Sequence, residues 1–201
     1  IKFDFENRLE LSSLTGIVKK KDSIISFENT KMFFGNSNLN GNLKLDYSNI
    51  VGSDIYSSEF INSIYMNLDI KDSNISSKDI GNIFTNFKTS YDESWTINTT
   101  LEGYVDDLFV KNFSLNNSRN TIELKSDIKN LFQDNYLLAI NILNFDIDSK
   151  EIDKVFPNFF GTILPSSLKT FGRFKMDGNI DFKSDNISSR FNLITKQGII
   201  K

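Results

Sequence analysis

The segment Ser77-Lys78-Asp79-Ile80-Gly81-Asn82-Ile83-Phe84-Thr85-Asn86-Phe87 returns 72 residues later as Ser149-Lys150-Glu151-Ile152-Asp153-Lys154-Val155-Phe156-Pro157-Asn158-Phe159. Ser, Lys, Ile, Phe, Asn and Phe recur at matching places, and Asp/Glu and Ile/Val exchange conservatively. Upstream at the same offset, Leu68, Ile70 and Ile75 correspond to Ile140, Ile142 and Ile147. Downstream, Leu101-Glu102-Gly103-Tyr104-Val105 reads as the counterpart of Met176-Asp177-Gly178-Asn179-Ile180 with a small slip. A repeat of this period implies units that each bury an apolar face against the next and stack in one direction. The units run over about 62–134 and 135–201, within a single fragment, 1–201, of a longer repeat-built protein.

Each copy predicts a short amphipathic helix. Ile80, Ile83, Phe84 and Phe87, and likewise Ile152, Val155, Phe156 and Phe159, fall on one helical face. Each copy also carries a start signal: Ser76 precedes Asp79 by three residues and Asp148 precedes Glu151 by three. Each first turn is therefore offered a side-chain oxygen for its free N–H groups and a carboxylate near the positive end of the dipole.

The rest of the chain alternates with a period of two. Ile1, Phe3 and Phe5, then Leu9 and Leu11, Ile25 and Phe27, and Leu39, Gly41, Leu43, Leu45 and Tyr47 read as strands. Turns fall where Asn, Ser, Gly and Asp gather, at Lys21 to Ser23, Gly35 to Asn38 and Ser48 to Ser58. Between the helices, Trp95, Ile97, Thr99, Leu101, Gly103 and Val105 share one face, and Thr96, Asn98, Thr100, Glu102, Tyr104 and Asp106 the other. Leu108 to Leu115, Ile122 to Ile128, Leu138 to Ile142, Phe174 to Phe182 and Phe191 to Thr195 continue the meander. Close spacing with short polar turns predicts mostly antiparallel pairing.

Composition narrows the function. The 201 residues are 39% hydrophobic, rich in Phe (19) and poor in Pro (2), which favours a strand-built core. A net charge of −3 with interspersed signs offers no basic stripe, so nucleic acid is not an expected partner. The chain has no Cys and no His, which removes disulfides, thiolate nucleophiles, imidazole bases and the usual zinc ligands. No cofactor is expected. The start at Ile1, without a signal peptide or a bilayer-length apolar run, reads as an internal fragment whose membrane anchor lies elsewhere.

The polar constellations have plain structural readings. Asp106-Asp107 and Asp146-Ile147-Asp148 lack the spaced oxygen series of a calcium loop, so surface solvation or helix capping is expected of them. Gly161, Gly172 and Gly178 do not build a phosphate loop. The Asn-x-Ser/Thr triplets at Asn74, Asn98, Asn112, Asn116 and Asn186 are common by chance in so Asn- and Ser-rich a chain. The apolar stripe is the one feature with functional promise: ordinary core if a second layer covers it, the lining of a groove for an apolar ligand if repetition extends the sheet without one.

Phe156-Pro157-Asn158, then Leu164-Pro165-Ser166-Ser167-Leu168-Lys169-Thr170-Phe171-Gly172, the Gly178 strand and Thr195-Lys196-Gln197-Gly198 together resemble the TamB family in its Bacteroidota-type form. There a helix is followed by Leu-Pro and Leu-x-x-Leu/Phe-Gly patterns, a glycine in the next strand and a Thr-x-x-Gly exit. Asn74 to Phe87 is similar to that family's helix insertion, and Ser37 to Leu43 to its repeated strand. The resemblance implies an AsmA-like envelope protein: a mostly β, extended, curled antiparallel sheet forming a taco-like groove, here with two short amphipathic helices. It further implies residence in the periplasm, an anchor in the inner membrane, phospholipid acyl chains as cargo, an Omp85-type outer-membrane barrel as partner, and a part in phospholipid transfer between the membranes and/or in outer-membrane protein assembly. It carries no catalytic signature, so the expectation is a non-enzymatic bridge.

The residues expected to line the groove are Trp95, Ile97, Leu101, Val105, Leu138, Ile140, Ile142, Phe174, Met176, Ile180 and Phe182. The alternative expectation is a structural or adhesive β-rich surface protein in which the same stripe is closed core. A polysaccharide-acting enzyme using two carboxylates ranks below both, for want of a cleft motif.

Overall fold

The computed structural model describes residues 11–50, 62–83, 89–130, 133–155, 161, 166–183, 186–196 and 198–200. They form one antiparallel meander in which every strand pairs with its neighbours in sequence. The strands are β1 (Leu11–Lys21), β2 (Ile24–Phe34), β3 (Ser37–Asp46), β4 (Tyr65–Ser76), β5 (Ser94–Tyr104), β6 (Asp107–Asn116), β7 (Thr121–Lys129), β8 (Leu137–Asp148), β9 (Arg173–Lys183), β10 (Asn186–Thr195) and β11 (Gly198–Ile200). Helix α1 (Ser77–Ile83) follows β4, helix α2 (Ser149–Val155) follows β8, and a 3-10 helix spans Ser166–Phe171. The sheet does not close into a barrel: β1 and β11 remain its two edges. The expected mostly β, open antiparallel sheet with short helices is therefore observed. The apolar positions of the helical motifs at 84, 87, 156 and 159 lie outside the described residues, as do Ile1, Phe3, Phe5 and Leu9 and the Leu164-Pro165 pair.

Strict alternation gives each strand one apolar side, and pairing register aligns those sides across the sheet. Leu43, Leu68 and Leu101 stand directly opposite one another on β3, β4 and β5, and Ile140 faces Ile180 between β8 and β9. The opposite side carries Lys19, Glu28, Asn42, Asp69, Thr100, Lys125 and Asn141.

Each of β2, β4, β6 and β8 contains an extra residue that shifts its register. In β2 and β4 the bulges include Asn29 and Asp72, with φ of 51° and 46°, a conformation that short polar side chains tolerate better than β-branched ones. Their N–H groups, turned out of the ladder, donate to the Asn42 and Asn98 Oδ1 atoms at 2.8 Å. Bulges bend the strand and raise its twist. They recur in β2, β4, β6 and β8, giving each of these strands a bend. They also switch the parity of the stripe, so that on β8 the apolar face runs Leu138, Ile140, Ile142 and then Phe145, Ile147.

The two copies of the repeat superimpose in register. Ile75, Ile70, Leu68 and Met66 pair with Trp95, Thr99, Leu101 and Gly103; Ile147, Ile142, Ile140 and Leu138 pair with Phe174, Gly178, Ile180 and Phe182. This corrects the downstream alignment of the sequence. Gly178 is the counterpart of Thr99, 79 residues earlier, and Gly103 is the counterpart of Phe182. Local similarity of Leu-Glu-Gly to Met-Asp-Gly misled, because strand equivalence is decided by the partner strand. A second correction concerns Val105, expected in the strand, which lies in the β5–β6 turn, its N–H donating to the Ile64 carbonyl at 3.2 Å.

Candidate functional site: the apolar sheet face and its helical cover

The start signals act as expected. The Ser76 hydroxyl accepts from the N–H groups of Lys78 and Asp79 at 3.1 and 3.4 Å, and the Asp148 carboxylate from those of Lys150 and Glu151 at 3.0 and 3.4 Å. The next residue ties each helix to the returning chain: Ser77 N–H donates to the Glu93 carbonyl and Ser149 N–H to that of Gly172. A hairpin tip from the preceding strands completes both joints. The Ser37 hydroxyl accepts from Ser76 N–H at 2.9 Å, and Asn120 Oδ1 accepts from Asp148 N–H at 2.8 Å. The helices are thus pinned over one end of the apolar face, and the Thr89 hydroxyl, beyond α1, donates to the Lys154 carbonyl near the end of α2 at 2.7 Å.

Under this cover lies the core. Trp95, Ile147, Ile152, Phe174, Met176 and Leu193 are at most 2% exposed, and Leu168 of the 3-10 helix joins them. Phe145 and Phe174 stack with centroids 6.1 Å apart. Of the eleven residues expected to line a groove, Trp95, Ile142, Phe174, Met176 and Ile180 belong to this buried cluster. They are core, with next to no surface left for a ligand; Ile152 of α2 and Leu168 of the 3-10 helix belong to the same cluster, and the sequence pattern of the strands contains no sign of it. Ile97, Leu101, Leu138, Ile140 and Phe182 are half-buried on the same face; Ile97, Ile140 and Phe182 pack against the buried cluster, while Leu101 and Leu138 lie further along their strands from the helical end. Val105 is half-buried in its turn and does not share that face.

The remaining apolar band is extended by residues that were not singled out: Met66 and Leu68 on β4, Leu108 and Val110 on β6, Leu124 and Ile128 on β7, all half-buried. The signal was present in their alternation. Among the described residues no second sheet stacks on this face, and no helix is long and apolar enough to cross a membrane.

The polar face is laced by charge pairs. Lys71 lies 2.7 Å from Asp69, which also accepts from the Thr100 hydroxyl at 3.1 Å; the lysine bond, with the threonine's help, holds the Asp69 carboxyl below its usual range, and Asp69 in turn raises Lys71. Asp146 is shared by Arg173 and Lys175, and Asp148 is a helix cap, so the Asp146–Asp148 pair has structural duties. No grouping of three metal-ligating side chains occurs among the described residues.

Comparison with known proteins returned no matching family model, no matching curated protein and no matching solved structure.

Proposed function

We propose that this chain is a segment of a TamB-like periplasmic bridge, without enzymatic activity, in which the open band of the apolar face shelters phospholipid acyl chains passing between the inner and outer membranes. The carrying observation is the band itself: Leu101, Leu138, Ile140 and Phe182 are half-buried on a single sheet, and α1, α2 and the 3-10 helix all lie at one end of its strands. A curled apolar face keeps each methylene out of water at ~0.8 kcal/mol, so transfer along it needs no chemistry. On this reading the anchor in the inner membrane and the contact with an Omp85-type barrel belong to other parts of the protein.

Photocrosslinking in cells tests it. A probe at Ile140 should give lipid adducts, and one at Asn141, on the opposite face, none. Adducts at neither position, with the Ile140 probe crosslinked within the chain, would favour the structural or adhesive reading, which the closed core around Trp95 and Phe174 already supports at the helical end.

A further inference from the structure

Helices α1 and α2 stand at equivalent places in the two copies, but only α2 is tied along its whole length. Its second turn is held by Lys169, 2.5 Å from Asp153, and by the Thr89 hydroxyl, which donates to the Lys154 carbonyl; Lys154 also pairs with Glu151 at 3.2 Å. Ile152 is fully buried. In α1 the bonds to other segments come from the first turn: Asp79 accepts from Ser37 and Asn36, and Ser77 bonds to the chain at Tyr91 and Glu93. Among the described residues, Ile80, Gly81 and Asn82 reach no other segment by a hydrogen bond.

The residues themselves deepen the contrast. Gly81 and Asn82 stand where α2 has Asp153 and Lys154, so the second turn of α1 carries the most flexible residue and lacks the ion pair that braces α2 from within. Ile80, the apolar side chain of α1 among those described, is half-buried against the same cluster that encloses Ile152 completely.

We infer that α1 is a releasable cover, which leaves the apolar face between its fixed points at Ser77 and Thr89 while the sheet stays folded and α2 stays closed. The first-turn bonds of α1 exchange for bonds to water at small net cost, and a half-buried isoleucine holds less than a fully buried one. Elements with few buried apolar contacts are the first to open locally. Release frees Ile75, Ile80 and Ile97, which pack against the cluster from β4, α1 and β5, and so lengthens the apolar band toward the helical end. What enters there rests on the lipid reading above; the release does not.

Hydrogen exchange of the whole chain, read by mass spectrometry, is the test. Amides of residues 80–83 should exchange at least about tenfold faster than those of 152–155, with β4 and β5 protected. Asp79→Ala should speed residues 80–83 about tenfold more and leave 152–155 and β5 as they were. If that variant loses its sheet, the contrast in the native chain decides. Equal exchange in the two helices, or release of α1 only together with β5, overturns the inference. In cells, a photocrosslinking probe at Ile97 should gain lipid adducts when Asp79→Ala is added. No gain there, with adducts still forming at Ile140, overturns the role of α1 in access. Adducts at neither position count against lipid carriage, and the exchange contrast then decides the release alone.

Discussion

The two copies of the repeat share a register, a bulge and a cap, yet each is held by different chemistry. In the first, Asp79 is 4% exposed and accepts from the Ser37 hydroxyl at 2.6 Å and the Asn36 N–H at 2.8 Å, while Asp92 takes a short hydrogen bond from the Ser76 hydroxyl. Gly35 makes room for this: a Cβ there would sit 2.1 Å from Asp79 Oδ1, and its φ of 50° is glycine's territory. In the second copy, Glu151 meets Arg119 at 3.0 Å with the arginine largely in solvent, and the burden passes to Ile152, fully buried where Ile80 is only partly so. One joint is a buried polar latch; the other is an apolar plug with an ion pair at its rim. The same fold of chain is thus reached by two routes, and the duplicated segment conserves geometry more closely than interactions.

The bend is likewise supplied twice. Beside Thr99, β6 carries a bulge, so the partner strand absorbs the curvature. Beside Gly178, β10 pairs without a register shift, and a Cβ on Gly178 would lie 2.3 Å from the Arg190 carbonyl oxygen.

The largest effect should come from the shared core. Trp95→Ala and Phe174→Ala, at equivalent positions, should each cost ~3–5 kcal/mol in denaturant unfolding; a small loss at either would break the equivalence. Next, Gly178→Ala should cost roughly 2 kcal/mol or more, since its φ of 146° and the carbonyl contact both oppose a side chain. Thr99→Ala, whose hydroxyl donates to the Asn112 carbonyl at 2.9 Å, should cost about 1 kcal/mol. Equal costs would mean that the bend is not divided as described.

Smaller again is the contrast between the latches. Asp79→Ala leaves the Ser37 hydroxyl and Asn36 N–H without their acceptor and should cost ~1–3 kcal/mol, whereas Arg119→Ala should cost less than about 1 kcal/mol. Thermal melts of the two variants suffice to rank them. Smallest is the surface pair of Asp69 and Lys71. Because the Asp69 pKa is lowered on folding, its contribution is present above the ordinary carboxylate pKa and disappears as pH falls through the lowered value. The Lys71 contribution is present below the ordinary lysine pKa and is lost as pH rises through the raised one. Asp69→Asn should therefore flatten both the acid and the alkaline limb of a melting-temperature profile slightly, because it removes the shift of each partner.

How much of this was legible follows the range of each interaction. The cap residues Ser76 and Asp148 could be named from spacing alone, because capping acts within one helical turn. Ten of the eleven apolar residues chosen from the sequence do share one sheet face; Val105 does not, because the alternation ends at a turn that its pattern does not announce. Which of the ten are buried was not legible, since the cluster they join draws in Ile152 of α2 and Leu168 of the 3-10 helix from elsewhere in the chain.

By itself, then, the sequence determined the period of the strands, the side each residue takes within its strand, the place of the two helices and the existence of a repeat. These rest on local sterics and on neighbouring residues. Tertiary structure decided the 79-residue equivalence, the bulges that switch the stripe on β8, the pairing of Ser37 and Asn120 with the helix caps, and the division of one apolar face into closed core and open band. Those depend on which strand lies beside which, and pairing partners are chosen by the free energy of the whole sheet rather than by any short stretch of it.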